Sequence, residues 1–291
     1  MRPPRFHFQF GRSGTGLSVA VSDGKETLEL PVEWAFGAGQ QAVTFVSRLE
    51  AGWYLEHYFS YYRRLSGLGP TPGHEGYRSN TLALARGVMY RSTDPVTGIV
   101  KCFECHSTGT PYIESNQEIH PRELGVRCEA CHGRGESHVE FASRGEVEQA
   151  RKLIENPGKM SASEINQFCG KCHRAPQDGP LSNVDKAWNV RHQPIYLARS
   201  SCFLKSQGRL SCLTCHDMHG ELERAESIYN QTCAGCHQAV KHAAVSGFAA
   251  AQASSCVACH MPKVSPQRYM EFTNHWIGVY DGGNTLRPRQ N

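Results

Sequence analysis

The chain has 291 residues, 39% of them hydrophobic, and a formal net charge of +4. No run of about 18 apolar residues occurs, so no membrane-spanning helix is expected, and no long Lys/Arg block suggests a nucleic-acid surface. The apolar fraction is low for a chain of this length to build its core from side chains alone.

In chain order, Met1-Arg2-Pro3-Pro4-Arg5 lacks an apolar h-region, so no signal peptide is expected in this numbering. Leu17–Val21 alternates, Ser22-Asp23-Gly24-Lys25 makes a turn, and Thr27–Leu30 continues, which predicts a β-hairpin. Ala42–Val46 and Trp53–Phe59 are further strand candidates, rich in β-branched and aromatic residues. Leu65–Tyr77, with its glycines and prolines, reads as a loop. Residues 1–98 contain no cysteine and are read as a small N-terminal antiparallel β-module with its linker. Beyond it, Arg144–Glu155 reads as a helix ended by Asn156-Pro157-Gly158. Ser161–Cys169 reads as a second helix, with Ser161 and Glu164 forming a capping box. Residues 276–291 are polar and contain Gly and Pro, and are expected to fray.

From residue 99 onward one motif dominates. Cys-x-x-Cys-His occurs six times, at Cys102/Cys105/His106, Cys128/Cys131/His132, Cys169/Cys172/His173, Cys212/Cys215/His216, Cys233/Cys236/His237 and Cys256/Cys259/His260. This is the c-type haem attachment signal: two thiols add across the vinyl groups of one haem, and the histidine becomes the proximal ligand of its iron. A zinc knuckle or a thioredoxin-like pair needs no histidine directly after the second cysteine. Six covalently attached haem c groups are therefore expected, in a six-haem domain spanning 99–291. Cys102 to His260 encloses about 160 residues, or about 26 per haem. Such density implies porphyrins packed on one another under a thin wrapping of short helices and loops, and these apolar plates make up the shortfall in the core. Each ferric haem with two propionates adds about −1 and each ferrous haem about −2, so the holoprotein is acidic despite its basic apoprotein.

Six irons call for six further ligands, and nine histidines remain. His138, His219 and His242 lie just beyond attachment motifs, too near to reach round their own haem, and suit a neighbouring iron. His275 sits in Phe272-Thr-Asn-His-Trp-Ile277, an aromatic setting suited to a haem face, and His192 lies in Val190-Arg-His-Gln-Pro-Ile-Tyr196. His74 is the sixth candidate, with His120 the alternative. His7 and His57, in the β-module, are assigned no ligand role. Met218 and Met261 adjoin motifs too closely to serve their own haems, so imidazole on both sides, and low potentials, are expected. Cys202 is the thirteenth cysteine and is read as a buried small hydrophobe, with an intermolecular bond as the alternative.

Three stretches and one further motif carry a resemblance: Cys128–His138, Leu210–His219, Cys256–Lys263 and Phe272–Ile277. They resemble multihaem cytochromes c of the broad lineage containing pentahaem nitrite reductase and hydroxylamine oxidoreductase. The likeness is strongest to multihaem cytochromes that often carry tetratricopeptide repeats after the haem region, and covers about residues 50–280. It implies a multihaem cytochrome c fold: short helices and loops around haems stacked in parallel and perpendicular pairs. It also implies an exported, periplasmic or extracellular protein, with distal ligands at positions matching His138, His219 and His275. The numbering is then expected to start near a mature or truncated end. All six motifs here end in histidine, whereas pentahaem nitrite reductases characteristically have a lysine in one, and no tyrosine can be matched to the haem-crosslinked tyrosine of hydroxylamine oxidoreductases. No catalytic residue is assigned. The expected role is an electron-transfer hexahaem cytochrome relaying electrons through bis-histidine haems, with redox proteins or copies of itself as partners. The alternatives are a subunit of an extracellular cytochrome filament and an oxidoreductase acting on a small nitrogen or sulfur compound at one open haem.

Overall fold

The computed structural model describes residues 5–14, 16–50, 52–94, 97–176, 183–238 and 255–289. It divides into two compact units, Met1–Ile154 and Glu155–Asn291.

The first unit begins with β1 (His7–Ser13), β2 (Gly16–Ser22) and β3 (Thr27–Pro31), an antiparallel sheet in the order β1-β2-β3. The expected hairpin lies in β2 and β3, and Asp23 closes its turn by accepting the N–H groups of Lys25 and Glu26. Then come β4 (Trp34–Phe36), β5 (Ala42–Arg48), β6 (Trp53–His57), β7 (Phe59–Tyr62), β8 (Gly67–Pro70), α1 (Leu82–Ala85) and β9 (Gly87–Arg91). The second sheet runs β8-β7-β5-β6-β9, with β4 paired to β5. The single strand expected over 53–59 is two, interrupted at Tyr58. The loop expected over 65–77 contains β8, whose Gly67–Pro70 pairs antiparallel with β7. Glycine and proline there satisfy a strand ladder on only one side, which composition alone cannot signal. Gly87 faces His57 across the β6–β9 pair at φ +151°, where a Cβ would lie 1.9 Å from the Glu56 carbonyl oxygen, so glycine is required.

α2 (Val100–His106) packs its Phe103 edge-on against Trp34, ring centres 4.7 Å apart, while Trp34 stacks on Tyr54 at 4.9 Å. Each such aromatic pair is worth about 0.5–1.5 kcal/mol beyond the area it buries. The core cluster is Trp34, Val46, Tyr54, Ile99, Phe103 and Ile119, with Cys102 packed against it. The strand module and the first attachment motif thus share one core, and the 98/99 position falls inside it. Short pairs follow: β10 (Ser107–Thr108) with β13 (Glu123–Leu124), and β11 (Tyr112–Ile113) with β12 (Ile119–His120). The unit closes with α3 (Cys128–His132), α4 (Glu136–Ser143) and α5 (Val147–Ala150). The helix expected over 144–155 does not form as one piece. Gly145 takes φ +79° between α4 and α5, and residues 151–153 tighten into a 3₁₀ turn.

The second unit starts with α6 (Ala162–His173), whose Ser161 and Glu164 make both bonds of the expected capping box, and which runs through the third motif. It continues with α7 (Gln193–Leu197), α8 (Ser201–Lys205), α9 (Cys212–Cys215), α10 (Glu226–Ala234), α11 (Cys256–His260) and the hairpin β14 (Lys263–Gln267) and β15 (Met270–Thr273). Val190, Ile195, Tyr196 and Val264 form its core, with Phe272, Trp276 and Leu286 packed on it. The tail expected to fray is tied down as far as it is described. Asn274 donates to the carbonyls of Thr285 and Leu286, Arg287 pairs with Asp185, and Arg289 pairs with Asp281. Polar composition suggested a loose end, but the polar groups have specific partners.

His57, the last residue of β6, is almost wholly buried. Ser47 Oγ donates to the Pro31 carbonyl at 2.6 Å, so His57 Nε2, 2.7 Å from that oxygen, must donate to it. Burial, reinforced by Arg86, pushes the imidazole down from 6.5 to about 4. The unfolded chain therefore binds a proton that the folded chain rejects. Stability of the first unit should fall as pH drops from about 6.5 toward 4, and His57→Gln should flatten that dependence in urea titrations at stepped pH.

Candidate functional site

A helical turn brings residues i, i+3 and i+4 to one face. In Cys-x-x-Cys-His these are the two thiols and the imidazole, so a helical motif presents all three to one side. The first, second, third and sixth motifs lie wholly within α2, α3, α6 and α11. The fourth occupies α9 and the fifth begins in the last turn of α10. In both, the N–H of the histidine still bonds to the carbonyl of the first cysteine, His216 to Cys212 at 3.1 Å and His237 to Cys233 at 2.9 Å. The turn is therefore complete in each.

The motifs adjoin. In the first unit α2 and α3 both pack against β10. In the second, α6 contacts α9, α9 contacts α10 and α10 contacts α11, so four successive attachment motifs are neighbours in space. Cys169 and Cys212, of the third and fourth motifs, share a hydrogen bond that pushes the Cys212 thiol up. Cys233, of the fifth, is pushed up to about 11, first by burial and then by Cys256 of the sixth. Cys102 is pushed up to about 11 by burial, then by Glu56. Among the described residues no two cysteines form a disulfide.

The donor chemistry fits haem iron. A ligating imidazole commonly gives its other N–H to a carbonyl or carboxylate, which fixes its tautomer and orientation. A carbonyl oxygen can only accept, so a histidine bonded to one through Nδ1 carries its proton there and keeps its lone pair on Nε2. His260 does this with the Gly278 carbonyl at 2.8 Å, and His173, also a proximal candidate, with the Gln193 side-chain oxygen at 3.2 Å. Two of the distal candidates do the same: His138 with the Ala150 carbonyl and His275 with the Thr273 carbonyl, both at 2.9 Å. The surroundings fit as well. α3, α9, α10 and α11 are four to nine residues long and bury no side chain, and Leu213 and Ile228 stand exposed on two of them. Helices this short do not hold by propensity, and thioether bonds to an apolar plate would anchor them.

The other distal candidates are placed differently. His192 caps α7 and is pushed down to about 4 by burial and by Arg191, Arg174 and His173, so it is a neutral ring close to the third motif. His275 is likewise pushed down to about 4, chiefly by burial. His219 is exposed, four residues beyond Cys215. His242 lies outside the described residues. His74 Nε2 is 3.1 Å from Glu56 and His120 Nε2 is 2.9 Å from Glu114, and a carboxylate takes the proton side of each ring. That leaves Nδ1 as the lone-pair nitrogen, and the Nδ1 of His74 is buried without a hydrogen-bond partner. Cys202, on α8, is half-buried and pushed up by burial, with Cys236 also raising it.

Sequence reasoning missed Glu56. Its carboxylate accepts from His74 and, at 3.2 Å, from the Tyr90 hydroxyl, and it acts electrostatically on Cys102. The signal was a lone acid in an aromatic strand, Trp53-Tyr-Leu-Glu-His57. The carbonyls of Thr273, Gly278 and Ala150 were also invisible, since backbone acceptors leave no mark in a sequence.

Residues 79–133 match the family model of cytochrome c554 and c-prime, a stretch that holds the first two attachment motifs. The match supports a c-type cytochrome. Covalently bound haem c, iron binding and haem-based electron transfer come with that class. Comparison with curated proteins and with solved structures found no match. Among the described residues no helix is long and apolar enough to cross a membrane.

In the holoprotein, His138→Ala and His275→Ala should each turn one low-spin haem high-spin without loss of haem, read by electron paramagnetic resonance and intact mass. Cys202→Ser should leave haem content unchanged, and loss of one haem in that variant would mean the cysteines are paired otherwise.

Proposed function

We propose that the chain is a hexahaem electron carrier that relays electrons through bis-histidine haems outside the cytoplasm. The adjacency of α6, α9, α10 and α11 is the observation that carries this reading, because it brings four attachment sites together in chain order. Bound haem supplies one-electron exchange between ferric and ferrous iron. The protein's own part is positional. Cys102, Cys105, Cys128, Cys131, Cys169, Cys172, Cys212, Cys215, Cys233, Cys236, Cys256 and Cys259 would tether the macrocycles. His106, His132, His173, His216, His237 and His260 would ligate from the proximal side. His138 and His275, oriented by backbone carbonyls, are the best-prepared distal ligands, with His74, His192, His219 and His242 completing the set. Saturated ligation would leave no iron open to substrate, and paired imidazoles favour low potentials. A location outside the cytoplasm agrees with the usual placement of c-type cytochromes, and the partners on this reading are redox proteins or further copies of the chain.

Intact mass should exceed the 32.3 kDa polypeptide by about six haem masses. A potentiometric titration should be broader than a single one-electron step, because each reduced haem disfavours reduction of its neighbour. Four or fewer haems, or bound zinc, would overturn the count. A wild-type high-spin fraction that binds nitrite, hydroxylamine or cyanide would overturn the relay in favour of catalysis at an open haem.

A further inference from the structure

We infer that His275 is the sixth ligand of the iron carried by the fourth motif, opposite His216. The assignment rests on the haem reading above and deepens it by naming a ligand pair.

The ring centres of His216 and His275 are 6.2 Å apart, with planes inclined at 34°. Two imidazoles bound to one metal through bonds of about 2 Å, each with its ring centre about 1.1 Å beyond the nitrogen, have centres about 6 Å apart. The rings are spaced for an atom between them. Their nitrogens agree with this. Nδ1 of His275 is committed to the Thr273 carbonyl, so Nε2 carries the lone pair. Among the described residues the His216 ring makes no hydrogen bond, and the rings of His275 and Tyr229 lie against it.

Both rings are held from behind. His216 is fixed by the helical turn of its own motif. His275 is clamped on two sides: Ser200 Oγ donates to its carbonyl at 2.9 Å and accepts the Ile277 N–H at 2.8 Å. Asn274, wholly buried, donates to the carbonyls of Thr285 and Leu286 and accepts the Trp276 N–H at 2.9 Å. A ligand position supported by two buried polar side chains is preorganised, whereas a loop histidine with free flanks is not. The rival assignment is the third motif, because His173 also acts electrostatically on both rings.

Haem-deletion backgrounds separate the two. In full-length holoprotein, His275→Ala should convert about one sixth of the iron to high spin with six haems retained. In a Cys212→Ala/Cys215→Ala background, which lacks the fourth haem, His275→Ala should add no high-spin signal. In a Cys169→Ala/Cys172→Ala background it should still add one. The opposite pattern assigns His275 to the third haem, and no high-spin signal in any background removes it as a ligand. Either result overturns the inference. His275→Met in the otherwise intact protein guards against misfolding: one haem should stay low-spin and acquire the far-red absorption of methionine-sulfur ligation, and its absence with six haems present counts against the pairing. A wild-type mass below six haems would instead strike the hexahaem reading, while the His275 assignment stands or falls on the fourth haem alone.

Discussion

The structure depends on one geometric constraint: a helical turn sets residues i, i+3 and i+4 on a single face. Cys-x-x-Cys-His converts that turn into a three-point mount for a porphyrin. Each motif needs only one turn, which is why helices of four or five residues suffice in α3, α9 and α11. Such helices would be marginal in isolation, since nucleation costs more than a single turn returns. Their stability has to come from what the motif binds and from what packs behind it. Phe103 of α2 packs into an aromatic core with Trp34 and Tyr54, and Asn166 of α6 donates to the Pro194 carbonyl of α7.

The same economy governs the histidines. Rings bonded through Nδ1 to an oxygen acceptor occur among both the proximal and the distal candidates: His173, His260, His138 and His275. A single acceptor fixes tautomer, ring direction and the lone-pair nitrogen together. His57 shows the contrast. It is buried and desolvated like a ligand, yet its Nε2 is spent on Ser47 inside a hydroxyl network, and its chemistry is a pH-dependent cost to the fold. His74 is arranged like His57: its Nε2 faces Glu56, and the Nδ1 of both rings is buried without a hydrogen-bond partner.

The β-sheets do more than precede the haem region. Cys102 packs on the core that β4, β5 and β6 build, and Glu56 of β6 reaches the neighbourhood of its thiol. A carboxylate near the first attachment point sets the local field there.

Some of this was legible in the residues alone. The six Cys-x-x-Cys-His motifs are each written in five consecutive positions, so they are read without any tertiary structure. The hairpin in β2 and β3, strand β5 and the cap at Ser161 were equally legible, because alternation, turn residues and a capping box act over a few neighbours. Tertiary structure decided the rest. Glycine-rich β8 is a strand only because β7 lies beside it, and Gly145 breaks a helix-like stretch by taking a left-handed conformation. Above all, no local pattern says that His275 lies 6.2 Å from His216, 59 positions earlier, or that Thr273 and Gly278 lend their carbonyls to His275 and His260. A distal ligand is defined by what it faces across a gap. That is a property of packing between distant segments, and a sequence records which imidazoles exist but not which pairs converge.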